Sequence, residues 1–150
     1  MEQIEIYTDG GCSGNPGPGG WAYIACISNE VIRGSGGDGD TTNNRMELQA
    51  VIEALRFISS LSLESNVPVV VHTDSQYVQQ GITSWIRKWV KNNWKTSAKQ
   101  PVKNKEYWQT LKELDDAIRP KWVWVPGHAG VALNEECDAM VQDEIRKHDR

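Results

Sequence analysis

The stretch VPVVVHTDSQ, residues 67–76, predicts a buried strand that ends in an acidic residue. Its branched apolar residues form a short run between polar residues, which is typical of a strand with both faces covered in a parallel or mixed sheet. The stretch IEIYTDG, residues 4–10, has the same ending. Two strands that both end in Thr-Asp would place Asp9 and Asp74 at one edge of a sheet, where open α/β folds keep their binding sites.

The composition favours one folded unit. The chain has 150 residues, of which 39% are hydrophobic, so it can bury a core without disulfides or metals, and we expect a single domain over residues 1–150. Three cysteines without metal-ligand spacing favour a reducing compartment, so we expect a cytoplasmic protein. No apolar stretch approaches the roughly 20 residues of a membrane span, so we expect no membrane partner.

Basic charge is concentrated in one stretch. The net charge is −4, but residues 81–105 carry seven basic side chains and no acidic one, which leaves −4 − 7 = −11 for the remainder. Tryptophans are interleaved with these charges, as on a surface that grips a nucleic-acid backbone. Alternatively, Trp85 and Trp89 form the core side of a helix whose solvated face carries the charge. The charge excess itself favours a polyanionic partner.

Periodicity and turn residues predict the remaining elements. The glycine-rich segments 10–20 and 34–42 predict loops, and the first of them lacks the Lys-Ser/Thr ending of a nucleotide-binding loop. Gly81 is predicted to end a short helix that follows Asp74. The expected strands are 21–27, 31–34 and 121–125; the expected helices are one opening at Asn44, 82–90, 105–118 and 133–147; and residues 92–104 are expected to protrude.

Two further acids are expected near the strand ends. Glu47 lies at the start of the first long helix and turns toward the core side, since Val51 follows it at i+4. Its spacing from Asn44 is also that of a capping box, which would make it a structural residue. Asp138 lies beside the apolar face of the last helix. Four converging carboxylates repel one another unless cations lie between them, and an all-oxygen set suits Mg²⁺ or Mn²⁺, which commonly bridge to phosphate.

Several motifs in this order resemble bacterial ribonuclease HI, and they cover nearly the whole chain. They are TDG at 8–10, GNPGPGG at 14–20, TTNNRMEL at 41–48, TDSQYV at 73–78, GIT at 81–83, GHAG at 127–130 and NEECD at 134–138. The resemblance implies the ribonuclease H-like α/β fold, a five-stranded mixed sheet with three antiparallel first strands and helices on both sides. It also implies a monomeric endonuclease that hydrolyses the RNA strand of RNA/DNA hybrids and leaves 5′-phosphate and 3′-hydroxyl ends.

The resemblance also implies the site. Asp9, Glu47, Asp74 and Asp138 would be catalytic acids that hold two Mg²⁺ ions, which Mn²⁺ can replace. His128 resembles the histidine that assists proton transfer or product departure. Asn134 would help to orient the site, or else would cap the last helix.

Substrate contacts follow by motif position. The residues that resemble the family's groove contacts are Cys12, Asn15, Asn43 and Gln76; those that resemble its DNA-strand contacts are Thr42 and Trp85. The stretch at about 81–105 resembles the family's basic handle, with Arg87, Lys88, Lys91 and Lys95. It departs from a common version because basic residues precede Trp89 rather than following it consecutively. Two alternatives remain: a hybrid-binding module without catalysis, and another nuclease of the same fold, such as an integrase- or resolvase-like enzyme.

Overall fold

The computed structural model describes residues 3–63, 67–125 and 132–149. The strands are β1 (Ile4–Cys12), β2 (Gly17–Ile27), β3 (Glu30–Thr41), β4 (Val69–Thr73) and β5 (Lys121–Trp124). The helices are α1 (Asn43–Ser59), α2 (Gln76–Gln80), a π-helical turn (Gly81–Trp85), α3 (Ile86–Lys91), α4 (Lys105–Ile118) and α5 (Ala132–His148). Among these described helices, none has the length and apolar composition needed to cross a membrane.

The strands form one mixed sheet in the order β3-β2-β1-β4-β5. β2 pairs antiparallel with both β1 and β3, whereas β4 pairs in parallel with both β1 and β5. The predicted five-stranded mixed sheet, with its first three strands antiparallel, is confirmed. In the parallel pair, Tyr7 lies opposite His72. Since Asp9 and Asp74 each follow this pair by two residues, both carboxylates reach the same edge, as the stretch 67–76 predicts.

Helices cover both faces of the sheet, which confirms the predicted layers. On one face, α1 and α4 bury the larger core, in which Leu48, Val51 and Leu55 of α1 repeat at helical spacing against Ile6 and Val71 of the central strands. On the other face, α5 buries a smaller cluster that consists of Cys137, Val141 and Ile145 with Ala22 and Ile24 of β2. The parallel strands are therefore apolar on the face of α1, whereas their other face also carries polar side chains, among them Glu5 and His72, which contact each other at 3.4 Å.

The two glycine-rich segments are strands rather than the predicted loops. β1 continues to Cys12 and pairs with the start of β2, so that only residues 13–16 lie between them, and β3 continues to Thr41. In β3, a Cβ on Gly34 would lie 2.4 Å from the Tyr23 ring, and one on Gly36 would lie 2.5 Å from the Trp21 ring. The glycines in β3 make room for aromatic rings of the neighbouring strand β2. In the sequence the same glycines look like turn formers, which is why a loop was predicted.

Gly81 is the C-cap of α2, as predicted, but the backbone remains helical beyond it. The chain passes from α2 through the π-helical turn directly into α3. A Cβ on Gly81 would lie 2.0 Å from Cη2 of Trp108, which is fully buried in the core. The glycine is needed because the helix lies against the indole ring.

The alternative role of Glu47 in a capping box with Asn44 is not observed at the start of α1. Thr42 is the N-cap, and its hydroxyl oxygen accepts a hydrogen bond of 3.3 Å from the Arg45 backbone amide. Asn44 lies inside the helix instead. Glu47 therefore does not serve as a helix cap, although its spacing from Asn44 suggests that role.

Gly10, near the end of β1, and Gly20, near the start of β2, determine how closely α1 and α5 approach the sheet. A Cβ on Gly10 would lie 2.4 Å from the carbonyl carbon of Met46 and 2.5 Å from the amide nitrogen of Glu47. On the opposite face, a Cβ on Gly20 would lie 2.7 Å from Cβ of Glu144 in α5. The backbones of α1 and α5 can lie directly on the sheet only because these side chains are missing.

We expect Gly10→Ala to lower the free energy of unfolding by about 1–3 kcal/mol or more, since the added methyl group must displace helix backbone. Gly39→Ala is the control, because its Cβ would come no closer than 3.8 Å to the His148 carbonyl oxygen; we expect a change within about 0.5 kcal/mol. Urea unfolding of both variants in chelator measures the difference. Equal losses of stability in the two variants would contradict the packing argument.

Candidate active site

Three carboxylates converge at the edge of the sheet. Asp9 lies in β1, Glu47 lies in the first turns of α1, and Asp74 follows β4 directly. One carboxylate oxygen from each lies within 4.8 Å of those of the other two. Only 8% of the Asp9 surface is exposed. The predicted convergence of these three acids is therefore observed.

Burial and mutual repulsion raise the proton affinity of this group. The pKa of Asp9 is raised to about 8, mainly by burial and then by the charges of Asp74 and Asp138. Burial, followed by the charges of Asp9 and Asp74, raises the pKa of Glu47 well above its usual range. A hydrogen bond from the Gly10 backbone amide opposes both shifts, since it favours the ionised form. Ionisation of the group is therefore costly unless positive charge is supplied.

Asp138 approaches the same group from the other face of the sheet. It lies in α5 and lines the cleft, and contact with its carboxyl group contributes to the raised pKa of Asp9. Its oxygens lie outside the compact set formed by the other three acids in the described residues. The structure therefore brings together the three acids as one group, with Asp138 at its side.

The residues present fit divalent cations. All the donors are carboxylate oxygens, which Mg²⁺ and Mn²⁺ prefer. Oε1 of Glu47 is buried and has no hydrogen-bond partner among the described residues. A buried carboxylate oxygen without a donor is costly, and a cation would satisfy it.

The acids lie in an open cleft of about 400 Å³. Its other walls are mainly polar and include uncharged side chains that can both donate and accept hydrogen bonds. The lining residues besides the four acids are Gly10, Gly11, Asn43, Asn44, Ser75, Gln76, Tyr77, Val141 and Gln142.

Of the predicted groove residues, Cys12, Asn15 and Asn43 lie together beside this cleft. Oδ1 of Asn15 accepts a hydrogen bond of 3.1 Å from the backbone amide of Asn43. The Cys12 thiol donates to the carbonyl oxygen of Thr41 at 3.3 Å. Burial is the main cause that raises the pKa of this thiol. The 13–16 turn is thus tied to the start of α1, with Asn43 and Gln76 both facing the cleft.

The two residues predicted to hold the DNA strand have structural contacts as well. Thr42 caps α1, and the Trp85 ring meets the edge of Tyr77 at a centroid distance of 5.7 Å. The Trp89 ring packs between those of Trp85 and Trp108 in a tilted arrangement, with centroid distances of 5.9 Å and 5.4 Å. Trp85 and Trp89 therefore pack against other aromatic side chains, as the alternative interpretation of them as the core side of a helix predicts.

The basic residues lie on the outside of the same segment. Arg87, Lys88, Lys91 and Lys95 are all exposed. After α3 the chain turns back on itself through a bridge between Lys95 and Pro101. The basic side chains thus lie over an aromatic interior, and within the segment 92–104 Val102 is buried in the main core while Trp94 packs against it.

His128 lies outside the described residues. Asn134 lies in α5, one turn before Asp138, and is buried, and its Oδ1 has no hydrogen-bond partner in the described part of the chain. It does not cap the helix, which begins at Ala132.

Four polar lining residues are absent from the set predicted from the sequence: Asn44, Ser75, Tyr77 and Gln142. Asn44, Ser75 and Tyr77 adjoin predicted site residues in the same motifs, so the motifs contained their signal. The hydroxyl oxygen of Tyr77 accepts hydrogen bonds of 3.1 Å from Asn104 and Trp108, and so connects the cleft to α4. The signal for Gln142 was its spacing of four residues from Asp138 on one helix.

The raised pKa of Asp9 predicts how stability depends on pH in the absence of metal. Its pKa is 3.8 in the unfolded reference and about 8 in the folded chain, so the folded state binds more protons between these values. The stabilisation from protonation is complete below about pH 4 and is lost as the pH rises through 8. We therefore expect the free energy of unfolding in chelator to fall from pH 5 to pH 8, and Asp9→Asn to reduce that slope.

Urea unfolding at both pH values measures the slope. The control is Glu113→Gln, which removes an exposed acid of α4 and should leave the slope unchanged. Adding Mg²⁺ should raise the stability of the parent at pH 8. Parallel pH profiles for the parent and Asp9→Asn would contradict the assignment of the raised pKa.

Comparisons with known proteins agree over nearly the whole chain. The RNase H family model matches residues 1–146. Ribonuclease H of Treponema denticola is 56% identical over 156 residues, covering 96% of this chain and 98% of that protein. The crystal structure of LC9-RNase H1, a type 1 RNase H with the type 2 active-site motif, is 30% identical with a TM-score of 0.84, covering 99% of this chain and 74% of that one.

A second solved structure, LC11-RNase H1 in complex with an RNA/DNA hybrid, is 26% identical with a TM-score of 0.74 and covers 97% of this chain and 98% of that one. Both solved structures share the overall fold of this chain. The chain therefore belongs to the RNase H family.

Proposed function

We propose that this protein is an endonuclease that hydrolyses the RNA strand of RNA/DNA hybrids with two Mg²⁺ ions, leaving 5′-phosphate and 3′-hydroxyl ends. The observation that carries the proposal is the group formed by Asp9, Glu47 and Asp74, whose oxygens lie within 4.8 Å of one another in an open polar cleft. The hybrid complex of LC11-RNase H1 supports the choice of substrate.

Asp9, Glu47, Asp74 and Asp138 would hold the ions. When bound, two Mg²⁺ ions supply charge stabilisation to the attacking and leaving oxygens of an in-line displacement. The chain's own contribution is to fix the carboxylates before substrate arrives, since they come from rigid strand ends and from helices packed on the sheet. Oε1 of Glu47 is buried and accepts no hydrogen bond from the described residues. This favours a role for Glu47 as a metal ligand.

Selection of the RNA strand would come from polar side chains along the cleft. Asn43 and Gln76 line it and can donate to and accept from a 2′-hydroxyl group. Cys12 and Asn15 border the same groove, and Thr42 and Trp85 would hold the DNA strand. Asn134 and His128 would act beside Asp138, the first in orienting the site and the second in proton transfer.

The exposed basic residues of the handle, including Arg87, Lys88, Lys91 and Lys95, would bind the backbone of the hybrid. We further propose a monomeric, single-domain protein of the cytoplasm. All three cysteines are free thiols, which suits a reducing compartment.

The two alternatives make different predictions for one assay. Labelled RNA/DNA hybrid, duplex RNA, duplex DNA and single strands are incubated with the protein in Mg²⁺ or in chelator. The proposal requires Mg²⁺-dependent products from the RNA strand of the hybrid alone. A binding module gives a complex without products, and another nuclease of this fold cleaves a different substrate.

We expect Asp9→Asn and Asp74→Asn each to abolish Mg²⁺-dependent cleavage of the hybrid while the chain stays folded, because each removes a charged metal ligand. Asp116→Asn, which changes an exposed acid of α4, should cleave at the parent rate. Initial rates and circular dichroism measure the two effects. Near-parent turnover in either cleft variant would exclude the assigned site.

We expect replacement of Lys91, Lys95 and Lys99 by Gln to weaken hybrid binding and to make its salt dependence shallower. The logarithmic slope should become smaller by about 0.9 for each phosphate that the variant no longer neutralises. Turnover at saturating hybrid should change little. The same replacements at Lys112, Lys121 and Lys147 are the control, and a triple handle variant with the parent slope would count against the handle.

A further inference from the structure

Helix α5 contributes a second polar residue to the cleft besides Asp138. Gln142 follows Asp138 by four residues, which places both on one face of the helix, one turn apart. Both line the cleft, together with Val141 between them. The backbone of α5 is held close here, since a Cβ on Gly20 of β2 would lie 2.8 Å from the carbonyl oxygen of Val141.

Packing does not explain Gln142. The residue is exposed, and its amide makes no hydrogen bond with the residues that the structure describes. By contrast, the next residue but one, Glu144, is buried and accepts a hydrogen bond of 2.8 Å from Ser35. The amide of Gln142 is therefore available to a ligand in the cleft.

The two walls of the cleft differ in their donors. On the side of α1 and α2, the cleft is lined by three residues with side-chain amides, Asn43, Asn44 and Gln76. On the side of α5, Gln142 is the single uncharged polar side chain among the described lining residues. A phosphodiester strand that crosses the acids would thus meet amide donors on one side and only this one on the other.

We propose that Gln142 binds the RNA strand by donating its side-chain amide to a non-bridging oxygen of the phosphate next to the scissile one, on the α5 side. The inference rests on the proposed function of the cleft. The amide supplies two N–H donors without a charge, so it can hold a phosphate beside the carboxylates without competing for cations. Contacts to phosphate oxygens fix the register of a nucleic acid, and Gln142 would thus help to set which phosphate reaches the acids.

The primary test is hybrid binding in Ca²⁺ by Gln142→Ala and Gln142→Glu. Removal of one net hydrogen bond should weaken binding roughly 3- to 10-fold for Gln142→Ala. Gln142→Glu keeps the shape but replaces donors by a charge, so its effect should be larger. The matched control is Ala139→Glu, which adds the same charge at an exposed position of α5 outside the cleft lining and should bind within about 2-fold of the parent.

A second measurement identifies the phosphate that Gln142 holds. Single RNA phosphates of the hybrid are replaced by neutral methylphosphonates, one position at a time. The difference in Kd between the parent and Gln142→Ala should disappear at one position beside the scissile phosphate and persist at the others. Parent-like binding by Gln142→Ala, equally weakened binding by Gln142→Glu and Ala139→Glu, or a difference that persists at every position would each overturn the inference.

Failure of this inference and failure of the proposed function give different results. A parent that cleaves the hybrid in Mg²⁺, with Gln142→Ala binding as tightly as the parent, overturns only the role of Gln142. A parent that does not cleave the hybrid overturns the proposed function. The binding comparison in Ca²⁺ still decides the role of Gln142 in that case, since it does not depend on turnover.

Discussion

The site depends on how closely two helices approach the end of β1. α1 reaches the sheet over Gly10 on one face, and α5 reaches it beside Gly11 and over Gly20 on the other. Ordinary side chains at these positions would hold the helices away from the sheet by the width of a methyl group or more. Glu47 would then leave the group that it forms with Asp9, because strand and helix backbones set the distances among the carboxylates.

This arrangement has an electrostatic cost that the rest of the fold must offset. Acids gathered in a partly buried site bind protons more tightly than they do in water, and for Asp9 the pKa is raised to about 8. The cost is offset by two cores, one on each face, that anchor the strands carrying Asp9 and Asp74. A rigid scaffold keeps the acids together when they would otherwise separate, which is the preorganisation that electrostatic catalysis requires.

Local patterns in the sequence predicted the main helices, the antiparallel start of the sheet and the acids at the strand ends, because periodicity and strand endings are visible in a single chain. The complete five-stranded sheet with helices on both sides was implied instead by the resemblance to ribonuclease HI. Local patterns did not predict the lengths of β2 and β3, since the glycines in them serve rings and helices that are distant in sequence, such as Trp21 against Gly36. The packing role of Gly81 was not predicted for the same reason, because its partner Trp108 lies in α4. The position of Gln142 in the cleft wall likewise depends on how α5 is laid across the sheet.

The central parallel pair also links activity to the order of folding. Ile4 pairs with Val69, 65 residues further along the chain, and β5 can join the sheet only through β4. Contacts so distant in sequence incur their loop-closure entropy before any pairing compensates for it, and this slows folding. No short segment of the chain holds Asp9, Glu47 and Asp74 together. A chain in which β1 and β4 have not yet paired therefore lacks the acidic group, so formation of the site waits for this long-range pairing.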